Sequence, residues 1–271
     1  MSLCGASQPS TPGRPAHLTD RHPAFAGEAI GIRLHAARLA YAGTVLFDAL
    51  DVRLEPGATT CLLGPSGVGK SSLLKRLAGL LPADPDDQLR CDDGRPLAGR
   101  FAWMDQRDLL LPWLDVLGNV TLGARLRGVP ADRARALALL EQVGLTDASG
   151  MRPDALSGGM RQRAALARTL YEDRPVVLMD EPFSALDALT RYRLQGLAAE
   201  LLATRTVLLV THDPAEALRI GDRVHVLSGR PARLDEALIP PGPPPRDPTD
   251  DQIRPLHREL MARLGVVRDA C

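Results

Sequence analysis

The sequence predicts an α/β fold in which a largely parallel β-sheet carries helices on both faces. Two observations lead there. Short, mostly apolar runs such as TTCLL (59–63), PVVLMD (175–180) and TVLLVT (206–211) read as buried strands, and they alternate with segments of helical periodicity. GPSGVGKS at 64–71 fits G-x-x-x-x-G-K-[ST] and lies between one such strand and a helix, the context a phosphate-binding loop requires. A chain of 271 residues holds one sizeable domain with small appendages and can bury an ample core.

Taken in order, residues 1–29 are rich in Pro, Ser, Gly and Ala without periodicity and read as a disordered leader. IRLHAARLAY (32–41) and VLFDALDVRLEPG (45–57) alternate as strands, the second closing at a Pro-Gly turn. After the strand 59–63 and its glycine-rich loop, KSSLLKRLAGLL predicts a helix stopped by Pro82. Residues 83–100 are turn-rich and acidic, and RFAWM is a short strand. Residues 107–155 read as mostly helical, with Asp132 as an N-cap. A helix from Asp187 places Leu194, Leu197, Ala198 and Leu201 on one stripe, which is core. The strand RVHVLSG (223–229), the stiff connector PPGPPPRDP (240–248) and an amphipathic helix over about 250–264 complete the chain. The expected division is a leader (1–29), a main domain (30–238) whose helical part spans about 107–160, and a C-terminal connector with its helix (239–271).

Lys plus Arg and Asp plus Glu number 33 each, so the formal charge is zero. That balance argues against a nucleic-acid binder and against polybasic attachment to membranes. Cys4, Cys61, Cys91 and Cys271 are scattered without CxxC spacing and read as reduced thiols. No apolar run approaches the roughly 20 residues of a membrane-spanning helix, and no apolar core of a signal peptide follows Arg14 or Arg21. The expectation is a soluble, cytoplasmic protein.

The chemistry concentrates at a few places. In the loop Gly64, Pro65, Ser66, Gly67, Val68, Gly69, Lys70, Ser71, Ser72, the glycines let backbone amides curl around phosphates, Lys70 can reach β and γ phosphates, and the Ser71 hydroxyl can ligate Mg²⁺. PVVLMDE carries Asp180 to the end of a buried strand, where it can hold the cation, with Glu181 next to it to orient or deprotonate an attacking water. Gln106 and His212 also follow strands, and the carboxyl ends of parallel strands form the ligand crevice of such sheets. LSGGM at 156–160 opens a second helix with exposed amides, an anion site separate from the first.

The phosphate loop, the glutamine after a strand, LSGGM, VVLMDEP, SALD and His-Asp after a strand, in that order over about residues 34–228, resemble the ATPase subunits of ABC transporters. The resemblance implies a P-loop ATPase core with a small antiparallel β element and a helical signature subdomain. It implies that Tyr41 stacks on adenine, that Gln106 contacts Mg²⁺ and senses a membrane subunit, and that Glu181 is the catalytic base. It assigns Asp187 to the dimer contact and His212 to the γ phosphate. It also gives the second anion site a purpose: Ser157, Gly158 and Gly159 would grip a nucleotide held by the P-loop of a second subunit. The implied partners are that second copy, transmembrane permease subunits at the inner face of the cell membrane, and indirectly a solute-binding protein. Asp105, where an aromatic is common in the family, Met160 in place of Gln, and a compact stretch between Lys70 and Gln106 depart from the pattern without touching the phosphate chemistry.

The solute is suggested by relatedness alone. WMDQRDLLLPW and its surroundings look closest to subunits for hydroxymethylpyrimidine, a thiamine precursor; the alternative is the nitrate, sulfonate and taurine group. DLLLPWLDVLGNV falls where the permease docks. A soluble, non-transport ABC ATPase would carry long coiled-coil insertions or two fused cassettes, and a small-molecule kinase would have no use for LSGGM or SALD.

Overall fold

The structure is a computed structural model that describes residues 28–265 apart from Ala42, Ala83 and Asp86, and leaves the side chain of Tyr41 undescribed. The expected leader therefore lies outside the described residues but for its last two, as do Cys4 and Cys271.

Two sheets form. β1 (Ile32–Tyr41) pairs antiparallel with β2 (Thr44–Leu54) and with β4 (Gln88–Cys91), giving a three-stranded antiparallel element. β3 (Thr59–Leu63), β5 (Phe101–Met104), β6 (Val176–Asp180), β7 (Thr206–Val210) and β8 (Arg223–Gly229) pair in parallel in the order β5-β6-β7-β3-β8. β9 (Ala232–Leu234) adds an antiparallel edge.

The strands of the large sheet are buried on both faces because their neighbours differ by face. Along β6, Val176 and Leu178 join the core shared with the antiparallel element, while Val177 and Met179 join the core under the helices. Along β7, Leu208 and Val210 face the first core, and Val207 and Leu209 the second. Such a strand must be apolar throughout, which is why the sequence shows runs there and not alternation.

Eight α-helices follow among the described residues: α1 (Lys70–Leu77), α2 (Val116–Val120), α3 (Leu122–Leu126), α4 (Arg133–Gln142), α5 (Gly158–Tyr171), α6 (Ala188–Leu202), α7 (Pro214–Ile220) and α8 (Ile253–Arg263). Asp132, Ser157, Asp187 and Asp213 cap α4, α5, α6 and α7, each accepting from a first-turn backbone N–H.

Three expectations are corrected. α1 ends at Leu77, five residues before Pro82: Gly79 takes a left-handed φ of 69°, and the bonds Gly79 N to Arg76 O and Leu80 N to Lys75 O close a Schellman motif. The turn-rich stretch contains β4, hidden by its acidic and turn-forming flanks. Residues 107–115 are not helical. Asn119, fully buried in α2, bonds Leu111 N and the carbonyls of Leu111, Leu114 and Asp115, fixing that stretch as a loop.

The proline-rich connector is folded onto the domain. Arg246 is 7% exposed and donates to the carbonyls of Leu218 and Gly221 at the end of α7, and to those of Pro240, Pro241 and Gly242. A cation at a helix C-terminus meets unpaired carbonyls and the negative end of the dipole, and the Asp222 carboxylate adds a favourable charge, so the burial is tolerated.

Candidate active site

The site stands at the carboxyl ends of four adjacent strands, β5, β6, β7 and β3. After β3 the chain turns sharply at Gly64, whose φ is 152°; a Cβ there would stand 2.3 Å from Leu227 O on β8, so only glycine fits. Gly69 caps α1 from a left-handed conformation, and Val68 N bonds Pro65 O across the loop. Lys70, 8% exposed, folds its side chain over the loop and donates to Gly64 O at 2.6 Å and Pro65 O at 3.1 Å. Burial lowers its pKa, and Glu181 and Asp180 oppose the shift. Ser66 is exposed and Ser72 half-buried.

Asp180 is 2% exposed at the end of β6. Burial raises its carboxyl pKa, and a hydrogen bond from Ser71 works in the other direction. Its Oδ1 has no hydrogen-bond partner among the described residues. A buried carboxylate oxygen left unpaired beside a hydroxyl and a phosphate loop is a donor set suited to a hard cation. Among the described residues no group of three His, Cys, Asp or Glu could hold a metal.

Glu181 adopts φ 48°, a left-handed conformation unusual for a side chain of its size. Its N–H bonds Val210 O, and its Oε1 lies 3.2 Å from Nδ1 of His212. His212 is largely exposed, so the pair has one foot in the crevice and one in solvent. Thr211 N bonds Leu62 O, which sets the exit of β7 against β3.

Gln106 is exposed on the wall of an open cleft of about 420 Å³ that it shares with Asp108, Gly158, Arg161, Gln162 and Ala185. Among the described residues its side chain makes no hydrogen bond. The structure thus places Gln106 beside the start of α5 and does not link it to Ser71 or Asp180. α5 holds the loop after Gln106 firmly: Arg168 donates to Asp108 O and Leu109 O, and Arg161 pairs with Asp108 at 3.2 Å.

Ser157 Oγ accepts from Met160 N at 3.2 Å, so its hydroxyl is engaged as a cap. The two glycines after it have no such explanation. A Cβ on Gly158 would meet nothing nearer than Arg161 at 4.0 Å, and one on Gly159 would stand in ordinary contact with Ala185 O at 3.4 Å. Neither has a left-handed φ. The chain's own packing would accept alanine at both. Asp187 caps α6 through Thr190 N at 3.0 Å, and that bond holds its carboxyl below the usual range. Tyr41 ends β1, and its side chain lies outside the described residues.

Sequence reasoning missed Gln162, Arg191, Gln195 and Glu216, which lie behind the site. Gln195 Nε2 donates to Glu216 Oε2 at 3.0 Å, and Glu216 is also hydrogen-bonded to Thr211. Arg191 reaches Leu186 O at 2.9 Å and Asp213 at 4.0 Å, joining the segment before Asp187 to the one after His212. All four sit on helices, where a polar residue in a mixed pattern reads as solvent-facing.

The family model described as ABC transporter matches residues 47–184. An uncharacterized ABC transporter ATP-binding protein of Haemophilus influenzae is 41% identical over 86% of this chain and 98% of that protein. The aliphatic sulfonates import ATP-binding protein SsuB of Delftia acidovorans is 41% identical over 90% of this chain and 97% of its own length. Among solved structures, the dimeric post-hydrolysis state of the ATP-binding cassette MJ0796, bound to ADP and Pi, superposes with a TM-score of 0.70 at 27% identity, covering 78% of this chain and 99% of that one. A phosphate loop, a buried strand-end carboxylate and a signature helix on this sheet, with matches over most of the chain, place it in one family: the chain belongs to the ABC transporter ATPases and is an ATP-binding, ATP-hydrolysing subunit.

Proposed function

We propose that the chain powers an importer for aliphatic sulfonates or for the related nitrate and taurine class. The observation that carries this reading is the 41% identity to an aliphatic sulfonates import protein across 97% of that protein's length. Similar identities recur with proteins of the same name in Nocardia farcinica and Pseudomonas syringae. The relatives back this group over hydroxymethylpyrimidine, which finds no support among them.

In this reading two copies sandwich two MgATP and drive a separate permease served by a solute-binding protein. No described helix is long and apolar enough to cross a membrane, so the chain would sit at the cytoplasmic face through its permease. Lys70 and the loop amides hold the phosphates. Ser71, Asp180 and Gln106 would hold Mg²⁺, which would supply charge neutralisation at the phosphate oxygens. Glu181 orients and activates the water, His212 holds the γ phosphate, Asp187 contacts the second copy, and Tyr41 stacks on adenine. Nothing covalent is required of the protein; positioning and electrostatics do the work.

Deleting the gene in its source organism and supplying an aliphatic sulfonate as sole sulfur source tests the proposal. Growth should fail on sulfonate and persist on sulfate. Unimpaired growth on sulfonates, with growth on low external hydroxymethylpyrimidine lost instead in a strain unable to make that ring, would return the assignment to the thiamine-precursor group.

A further inference from the structure

Gln162 lies in the second turn of α5, 6% exposed, with both ends of its amide engaged. Nε2 donates to Glu181 O at 2.9 Å and approaches Ser184 Oγ at 3.4 Å; Oε1 accepts from Ala185 N at 2.7 Å. Ser184 Oγ donates to the same Glu181 carbonyl at 3.1 Å. That carbonyl belongs to the residue whose φ is 48°, a left-handed conformation that is costly for a non-glycine residue. It persists because its surroundings dictate it: Val210 O on β7 accepts from the Glu181 N–H, and Gln162 on α5 donates to the Glu181 carbonyl. One turn earlier on the same helix are Ser157, Gly158 and Gly159, with Gly159 packed against Ala185 O. The first turn of α5 presents free amides outward, while the second turn grips the Glu181 peptide.

We propose that Gln162 is a positioning residue that ties the signature turn of a chain to the Glu181 of that same chain. When the first turn of α5 closes on a phosphate, the displacement passes through Gln162 to the peptide carrying the carboxylate. The nucleotide gripped by one chain's signature turn thereby sets the base acting on the other nucleotide of the pair. This rests on the reading of Glu181 as the water-activating group and of residues 157–159 as a site for the partner's nucleotide.

Two substitutions test it in the full-length chain. Gln162→Leu removes every bond at similar size, and Gln162→Glu keeps an acceptor for Ala185 N while deleting the donor to Glu181 O. The second serves if the first fails to fold. Either should lower kcat by about tenfold to a hundredfold, the cost of misplacing a reacting group by a fraction of an ångström to an ångström. KM should stay within about twofold. Combined with Glu181→Gln, either should leave ATP-dependent dimerisation in size-exclusion chromatography unchanged. An unchanged kcat overturns the proposal. So does a fall in kcat matched by weaker dimerisation, which would make Gln162 a structural support of the phosphate grip. If Glu181→Gln alone does not dimerise with ATP, the shared-site reading itself fails and takes this link with it. With that dimer intact, a normal kcat sinks the link alone.

Discussion

Glu216, in the first turn of α7, is 5% exposed and bonded to Gln195 and Thr211, with Asp213 and Arg191 as its charged neighbours. Burial pushes its pKa from 4.5 to about 7, ahead of the opposing hydrogen bonds. Below pH 4.5 the group is protonated whether folded or unfolded. Between the two values the unfolded chain releases the proton and the folded chain keeps it, so this residue's contribution to stability falls as pH rises and levels off above 7. The loss amounts to roughly 3 kcal/mol at 1.36 kcal/mol per pH unit. Glu216→Gln should abolish that component. Urea unfolding at about pH 5 and about pH 8 should show the variant gaining on the wild type at the higher pH. An equal stability gap at both values would mean that Glu216 is already ionised in the fold. Nothing in PAEAL announces this residue, because its partners lie 21 positions upstream on α6 and at the end of β7. Lys70 and Asp180 were legible because a phosphate loop and a strand-end carboxylate are local patterns.

Elements were readable where their stop signals are local and lost where they depend on distant bonds. The strands of the parallel sheet emerged within a residue or two because burial on both faces forces continuous apolar runs. α1 was overextended because Gly79, a strong C-cap, was passed over in favour of Pro82. The segment 107–115 was given helical character on composition, whereas Asn119 holds it open through four bonds. That loop has a consequence for assembly. Trp113 is 66% exposed and Leu109 47%, on a loop anchored to α5 by Arg161 and Arg168. Exposed apolar side chains on a rigid loop beside a cleft suit a partner's helix. Trp113→Glu should therefore abolish co-purification with the permease while leaving the ATPase activity and melting temperature of the isolated subunit unchanged. Normal recovery of the permease with the variant would remove the docking assignment.

For the whole molecule, the two anion-binding helix starts are built differently. The loop before α1 is closed over by Lys70 and hemmed in by Leu227, while α5 begins with two glycines, of which Gly158 has open side-chain space and Gly159 lies in ordinary contact distance of Ala185 O. Glycine inside a helix costs about 1 kcal/mol relative to alanine, and among the described residues no close contact at Gly158 repays it. A second body approaching the amides would repay it, and an aspartate at Gly158 separates the two accounts. An acidic residue in a first turn that now has none should hold or raise the stability of α5 by about 0.3–1 kcal/mol through the helix dipole. The same charge would repel a γ phosphate. In a Glu181→Gln background, where hydrolysis is blocked, the parent should pass from monomer to dimer with MgATP but not with MgADP, and added salt should weaken the dimer. Gly158→Asp in that background should bind nucleotide normally and melt at the same temperature or higher, yet remain monomeric with MgATP. The opposite signs exclude misfolding as the cause. If the double variant still dimerises on ATP, the start of α5 does not bind the partner's nucleotide, and its glycine pair must have some other cause.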